Sequence, residues 1–139
     1  MSFSAILHLG NEKNPSFDSP GTINILDCDY GFTQKIDSAA KPTEKAKGGL
    51  ISLVIEATKN EELVDWMIDS DMVKDGSIIF RGRETEAAMR TIKFKNAYCV
   101  QFHEKFSSEG VIPMVTFLTI SCGEITVNNV PYTNNWPTK

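Results

Sequence analysis

The sequence predicts a mainly β, single-domain protein of about six to eight strands, a barrel or a sandwich, with one short flanking α-helix. Three observations lead there. Apolar residues recur with a period of two along most of the chain. Only one stretch carries the i, i+3, i+4 spacing of an amphipathic helix. Clusters of glycine, proline, serine and asparagine separate the apolar segments. At 139 residues the chain is the size of one domain and can bury a real core without metal or disulfide staples.

Residues 3–9 place Phe3, Ala5, Leu7 and Leu9 on alternate positions, the pattern of a half-buried strand. Two prolines and two glycines make 10–21 a loop. Residues 22–32 read as a second strand, with Leu26, Cys28, Tyr30 and Phe32 on one face and Asp27 and Asp29 on the other. From 33 to 47 the pattern collapses into polar residues. A loop of this length is usually either functional or solvated, so the segment is read as an arm that reaches another molecule or as a loose surface loop.

Residues 50–57 are apolar on both faces, which predicts a central or covered strand. Thr58 and Glu61 have the spacing of a capping box. Leu63, Trp66 and Met67 follow as one helical face, with Trp66 expected to anchor the helix to the strands. Polar residues 69–76 end that helix, and 77–81 form a short strand. Residues 84–89 fit a helical turn or a loop equally well. A long strand or bent pair runs from 92 to 103, with Asn96 at a bulge or turn and Tyr98, Val100 and Phe102 opposite Cys99, Gln101 and His103. Residues 106–113 read as a hairpin connection. The strand 114–121 places Met114, Leu118 and Ile120 on one face and Val115 and Phe117 on the other, and Gly123 interrupts before 124–130. The tail 131–139 is polar apart from its tyrosine and tryptophan.

Composition narrows the function classes. Hydrophobic residues make up 41% and charged residues 23%, which excludes wholesale disorder, and no apolar run nears the ~20 residues of a spanning helix. Fourteen Lys and Arg against 18 Asp and Glu give a net charge of −4, which does not favour nucleic acid. The first residues carry neither a basic segment nor a long apolar one, so a cytoplasmic origin is expected. Cys28, Cys99 and Cys122 are odd in number and widely spaced, and are read as reduced, buried thiols.

The chemistry-bearing residues are few. His103-Glu104 opens like a zinc-protease helix motif but lacks the second histidine. Cys99 and His103, on one strand face, would stand roughly 13 Å apart, too far for joint work. Asp27 and Asp29 could act as acid and base, a hydrolase reading, but solvent-facing alternation explains them. Lys41, Lys45 and Lys47 lack the interleaved aromatics of a nucleic-acid surface. No catalytic, cofactor-binding or metal residue is expected, and no cofactor.

An ordered series of residues carries a resemblance. It runs from Ser2-Phe3-Ser4-Ala5 through Cys28-Asp29-Tyr30-Gly31-Phe32, Gln34, Asp37, Gly48-Gly49 and Trp66-Met67. It continues with Gly76, Ile78, Phe80, Met89, Phe94, Ala97-Tyr98-Cys99-Val100, Glu104, Phe106, Pro113-Met114, Ser121 and Trp136. Taken together, and over nearly the whole chain, it resembles the tube protein of type VI secretion systems, the Hcp or TssD family, in its Bacteroidota form. The resemblance implies one tube domain over 1–139, a single-domain β-barrel assembled as a homo-hexamer. Such rings stack into a tube inside a contractile sheath, beneath a spike, and carry or chaperone effector cargo. It also implies a cytoplasmic protein that is secreted through the apparatus without a signal peptide.

In that reading 33–47 is the arm that contacts a neighbouring subunit or ring, through Asp37, Lys41, Pro42, Lys45 and Lys47. Deleting 41–47 should then spare folding and abolish stacking. Two departures stand out. The loop 10–21 is longer than a tight turn, and Ala40-Lys41-Pro42 stands where the family often has Gly-Arg-Pro, losing arginine's bidentate fork. The rival readings are a phage-tail-like or extracellular contractile injection tube protein, and a monomeric ligand-binding β-barrel.

Overall fold

The structure, a computed structural model, describes residues 3–10, 21–59, 61–82, 88–134 and 136. Its strands are β1 (Ser4–Leu9), β2 (Ile23–Tyr30), β3 (Leu50–Glu56), β4 (Lys74–Arg81), β5 (Ala88–Phe106), β6 (Met114–Val127) and β7 (Val130–Thr133). Helix α1 (Glu62–Ile68) lies between β3 and β4. The strands pair in the order β3-β2-β1-β4-β5-β6-β7, all antiparallel, and β3 also pairs with β6. That last pairing closes six strands into a barrel. β7 hangs outside it on the far end of β6, where Val127 pairs with Val130.

The barrel is filled rather than hollow. Leu7, Ile51, Leu53, Ile55, Ile78, Ile92, Phe94, Leu118, Ile120 and Ile125 are each no more than 2% exposed and form one cluster. A barrel this small has room for side chains alone. Trp66 joins the cluster from α1, 1% exposed, and its Nε1 donates to the Ala97 carbonyl at 3.0 Å. The helix is therefore held as expected, by Leu63 and Trp66. The capping box does not form: Glu61 is itself the N-cap residue and makes no side-chain cap bond. Glu62 turns instead to Lys74, with 2.9 Å between carboxylate and ammonium.

Two β-bulges change which residues face inward. Between Ile25 and Asp27 the pairing of β2 with β3 slips by one. An extra residue reverses the alternation after it, so Ile25 is buried, Leu26 is exposed, and Cys28 and Tyr30 pack on the core. Leu26 thus leaves the face on which alternation alone put it. A second slip, between Cys99 and Gln101, makes Val100 the extra residue. Cys99 is then buried, Val100 is exposed, and Phe102 packs on the core. Cys99 and His103, expected on one face, are parted by this bulge.

Other corrections follow from pairing. β1 is buried on both faces, since Ile6 and His8 are covered as well as Ala5 and Leu7. β3 shows the reverse: it is flanked by β2 and β6, but Leu50 and Ser52 are exposed, so only one face is covered. β4 starts at Lys74, earlier than expected. β5 is one strand of 19 residues, with Asn96 at φ 53° where the pairing with β4 shifts. β6 runs through Gly123 without a break. Met114 does not share the burial of Leu118 and Ile120. The loop 107–113 closes the hairpin, Ser107 N–H donating to the Pro113 carbonyl at 2.7 Å. Residues 11–20 and 83–87, which include most of the expected long loop and of the undecided turn, lie outside the described residues.

Candidate functional site

The polar segment after β2 is a hairpin. Thr33 and Lys47 exchange both backbone hydrogen bonds, at 2.9 and 2.7 Å, and Thr43 N–H donates to the Lys35 carbonyl at 2.8 Å. Ile36 and Pro42 form a further bridge. Every residue from 31 to 45 is exposed. With nothing to bury, the segment is held by its own main chain and by its tip.

Asp37 builds that tip. One carboxylate oxygen accepts from the Ala39 N–H at 2.9 Å and the Lys41 N–H at 3.0 Å. Its carbonyl also accepts from Ala40 at 3.0 Å. A short acidic side chain that bonds the main chain a few residues on is a standard turn former. Ala40 sits at φ 63°, in the left-handed region that suits glycine. This gives a physical reason for the glycine often found at that place in the resembling family.

The five expected arm residues thus lie on one projecting element. Asp37, Lys41 and Pro42 stand at the tip, Lys45 on the returning strand and Lys47 at the base. Lys47 approaches Glu44 at 3.3 Å and Lys35 approaches it at 3.8 Å, both exposed pairs of small energetic weight.

The base of the arm contains residues that sequence reasoning passed over. Gly48 N–H donates to the Tyr132 hydroxyl at 3.1 Å, and that hydroxyl donates to Asn134 Oδ1 at 2.8 Å. Asn134 Nδ2 donates in turn to the Gly48 carbonyl at 3.2 Å and to the Cys122 carbonyl at 2.8 Å. The Phe32 and Tyr132 rings meet edge to face with centroids 5.2 Å apart. A Cβ on Gly48 would run into Phe32. Gly49, at φ 98°, would bring a Cβ within 2.5 Å of Asn134 Nδ2 and 2.9 Å of the Cys122 carbonyl. The available signal is the glycine pair directly after a long polar run.

Beside the arm, β2, β3, β6 and β5 form a four-stranded stretch with one open face. Pairing aligns Asp29, Ser52, Thr119 and Gln101 in one row and Asp27, Val54, Phe117 and His103 in the next. Among the described residues, 27–30 of β2 pair with β3 alone and 98–106 of β5 with β6 alone. The stretch therefore has an open edge on each side. Asp27 and Asp29 do share a face, but it is exposed sheet, and His103 lies three strands from Asp27, about 14 Å at the usual spacing.

The thiols are chemically quiet. Burial pushes Cys99 up to about 11, partly offset by a hydrogen bond with the Gln101 main chain, and pushes Cys122 up to about 12. Burial raises Cys28 to about 11 as well, with help from the negative charges of Asp27 and Asp29. All three are free cysteines. Among the described residues no group of three His, Cys, Asp or Glu side chains is placed to hold a metal ion.

The sequence profile of the hemolysin coregulated protein family, Hcp (TssD), matches residues 1–137. Hcp1 from Flavobacterium johnsoniae is similar in structure, with a TM-score of 0.81 and 26% identity over 94% of this chain and 99% of that one. Hcp1 from Salmonella typhimurium shares the fold at a TM-score of 0.70 and 12% identity, covering 96% and 93% of the two chains. A type VI secretion system effector from Yersinia pestis also shares it, at 0.69 and 15%, covering 94% and 99%. No protein of curated function matches the chain in sequence.

Proposed function

Because this chain belongs to the hemolysin coregulated protein (Hcp, TssD) family, we propose that it is a structural subunit of a type VI secretion inner tube. It closes into hexameric rings that stack within a contractile sheath, carry or chaperone effectors beneath a spike, and leave the cell with the tube. The arm contacts the next subunit or ring through Lys41, Pro42, Lys45 and Lys47, on a tip that Asp37 shapes. The observation that carries this reading is the family match over residues 1–137.

The geometry supports it. A ring needs two different complementary surfaces on each subunit, and the two open edges of the four-stranded stretch offer a candidate pair. Open strand edges also invite pairing with another chain. Among the described residues, the arm makes no hydrogen bond or ion pair to the barrel beyond its base. An extracellular contractile injection tube would use the same architecture. The monomeric ligand-binding barrel finds less support, since Leu7, Ile51, Phe94 and Leu118 occupy the space a ligand would need.

Light scattering across a concentration series, with negative-stain images of the heaviest species, tests the proposal. Open rings near six times 15.5 kDa are expected. A strict monomer at every concentration, with no rings on a purified baseplate, would overturn it.

A further inference from the structure

We propose that Tyr132 and Asn134 form a clasp that sets the direction in which the arm leaves the barrel, making the C-terminal strand a positioning element for assembly. The inference rests on reading the arm as an assembly contact. Its basis is a closed circuit of hydrogen bonds. Gly48 donates its N–H to the Tyr132 hydroxyl, that hydroxyl donates to Asn134 Oδ1, and Asn134 Nδ2 donates back to the Gly48 carbonyl.

Both main-chain groups of one residue at the arm's base are thus held by side chains of β7 and the residue just after it. The second Asn134 N–H, on the Cys122 carbonyl, fixes the amide to β6, and the Asn134 main-chain N–H donates to Gly123 at 2.8 Å. The Phe32 ring against Tyr132 grips the arm's other strand. Gly48 and Gly49 have no side chain because Phe32, Asn134 and the Cys122 carbonyl occupy that space. The Tyr132 hydroxyl both accepts and donates within the circuit, so loss of one member loosens the rest.

Amide hydrogen exchange on the full-length protein tests the clasp. Tyr132→Phe keeps the ring against Phe32 and removes one hydroxyl; Asn134→Ala removes the amide. The Gly48, Lys47 and Thr33 amides should exchange at least about tenfold faster in both, since Tyr132→Phe breaks two hydrogen bonds of the clasp and Asn134→Ala three, and each lost bond is worth about a factor of ten. Leu118 and Ile120 amides should keep wild-type rates, and ring stacking should fall. Wild-type exchange at the arm base in both variants would overturn the clasp, and so would a loosened base with unchanged stacking. If Asn134→Ala does not fold, Tyr132→Phe alone decides. Wild-type protein that forms no rings fails the tube reading instead, and the exchange rates still decide the clasp.

Discussion

Trp66 donates its indole N–H to the Ala97 carbonyl across 3.0 Å, inside a barrel that leaves Ala97 no exposure at all. The helix and the longest strand are tied at this point. Trp66→Phe keeps an aromatic ring but strands a buried carbonyl, at a cost of about 1–3 kcal/mol. Trp66→Ala adds a cavity and should cost about 3–5 kcal/mol. Urea denaturation midpoints should fall in that order; an unchanged midpoint for Trp66→Ala would show that the helix does not anchor here.

The arm's tip carries strain at Ala40, whose φ of 63° is disfavoured for a residue with a side chain. Ala40→Gly should stabilise the tip by about 0.5–1 kcal/mol, the relief of strain exceeding the entropy glycine costs. Slower exchange of the Lys41 amide is the expected sign. Asp37→Ala removes both side-chain bonds to the tip and should speed the same amide; matching rates in wild type and Asp37→Ala would refute this account of the turn.

Gly49 offers a sharper test of the arm's base. Gly49→Ala combines φ 98° with a Cβ pressed on Asn134 and on the Cys122 carbonyl. The variant should lose about 1–3 kcal/mol of stability, read from its thermal or urea midpoint. Gly31→Ala, at a position where a Cβ would meet nothing within 4 Å, is the matched control and should change little.

The cysteines link stability to alkali. Each thiol's raised pKa means that the folded state prefers it protonated. That contribution is full below the ordinary value of 9.0 and is lost as the pH climbs through about 11 to 12. Any stability advantage of wild type over Cys122→Ala should shrink between pH 8 and pH 10.5 in urea titrations. An advantage that grows over that interval would reverse the assigned sign. At pH 8 the native thiolate fraction at Cys28 should be roughly a hundredfold below that of an ordinary thiol, so a thiol reagent should react quickly only after denaturation.

The strands were legible where burial is one-sided. Ile92, Phe94, Leu118 and Ile120 follow the period of two, and Leu63 with Trp66 mark the helix without help from tertiary structure. What failed was continuity of phase. Leu26 and Val100 are bulge residues, and a bulge is set by the neighbouring strand's register rather than by any local residue type. The open outer face of β3 was hidden for a similar reason, because Leu50 and Val54 are apolar in sequence whatever covers them. Exposed Leu50 and Phe117 look like core until the partner strands are known.

The arm was legible as a polar run of unusual length. Its hairpin form was not, since main-chain bonds such as Thr33 to Lys47 leave no trace in side-chain pattern. The clasp joins Gly48 to Tyr132 and Asn134, more than eighty residues away. Only Gly48-Gly49 hinted that something must approach the backbone there.

The closing pair of the barrel, β3 with β6, also dictates an order of folding. β5 and β6 are joined by a seven-residue turn and align along most of their length, so their hairpin forms at small loop entropy. Leu50 reaches Ser121 only after about half the chain has been looped back. Late closure of this seam is the expected rate-limiting step, because distant contacts repay their entropy last. Substitutions at Phe94 and Ile125, paired within the hairpin, should therefore slow refolding, whereas those at Ile51 and Leu53, on the β3 side of the seam, should chiefly hasten unfolding.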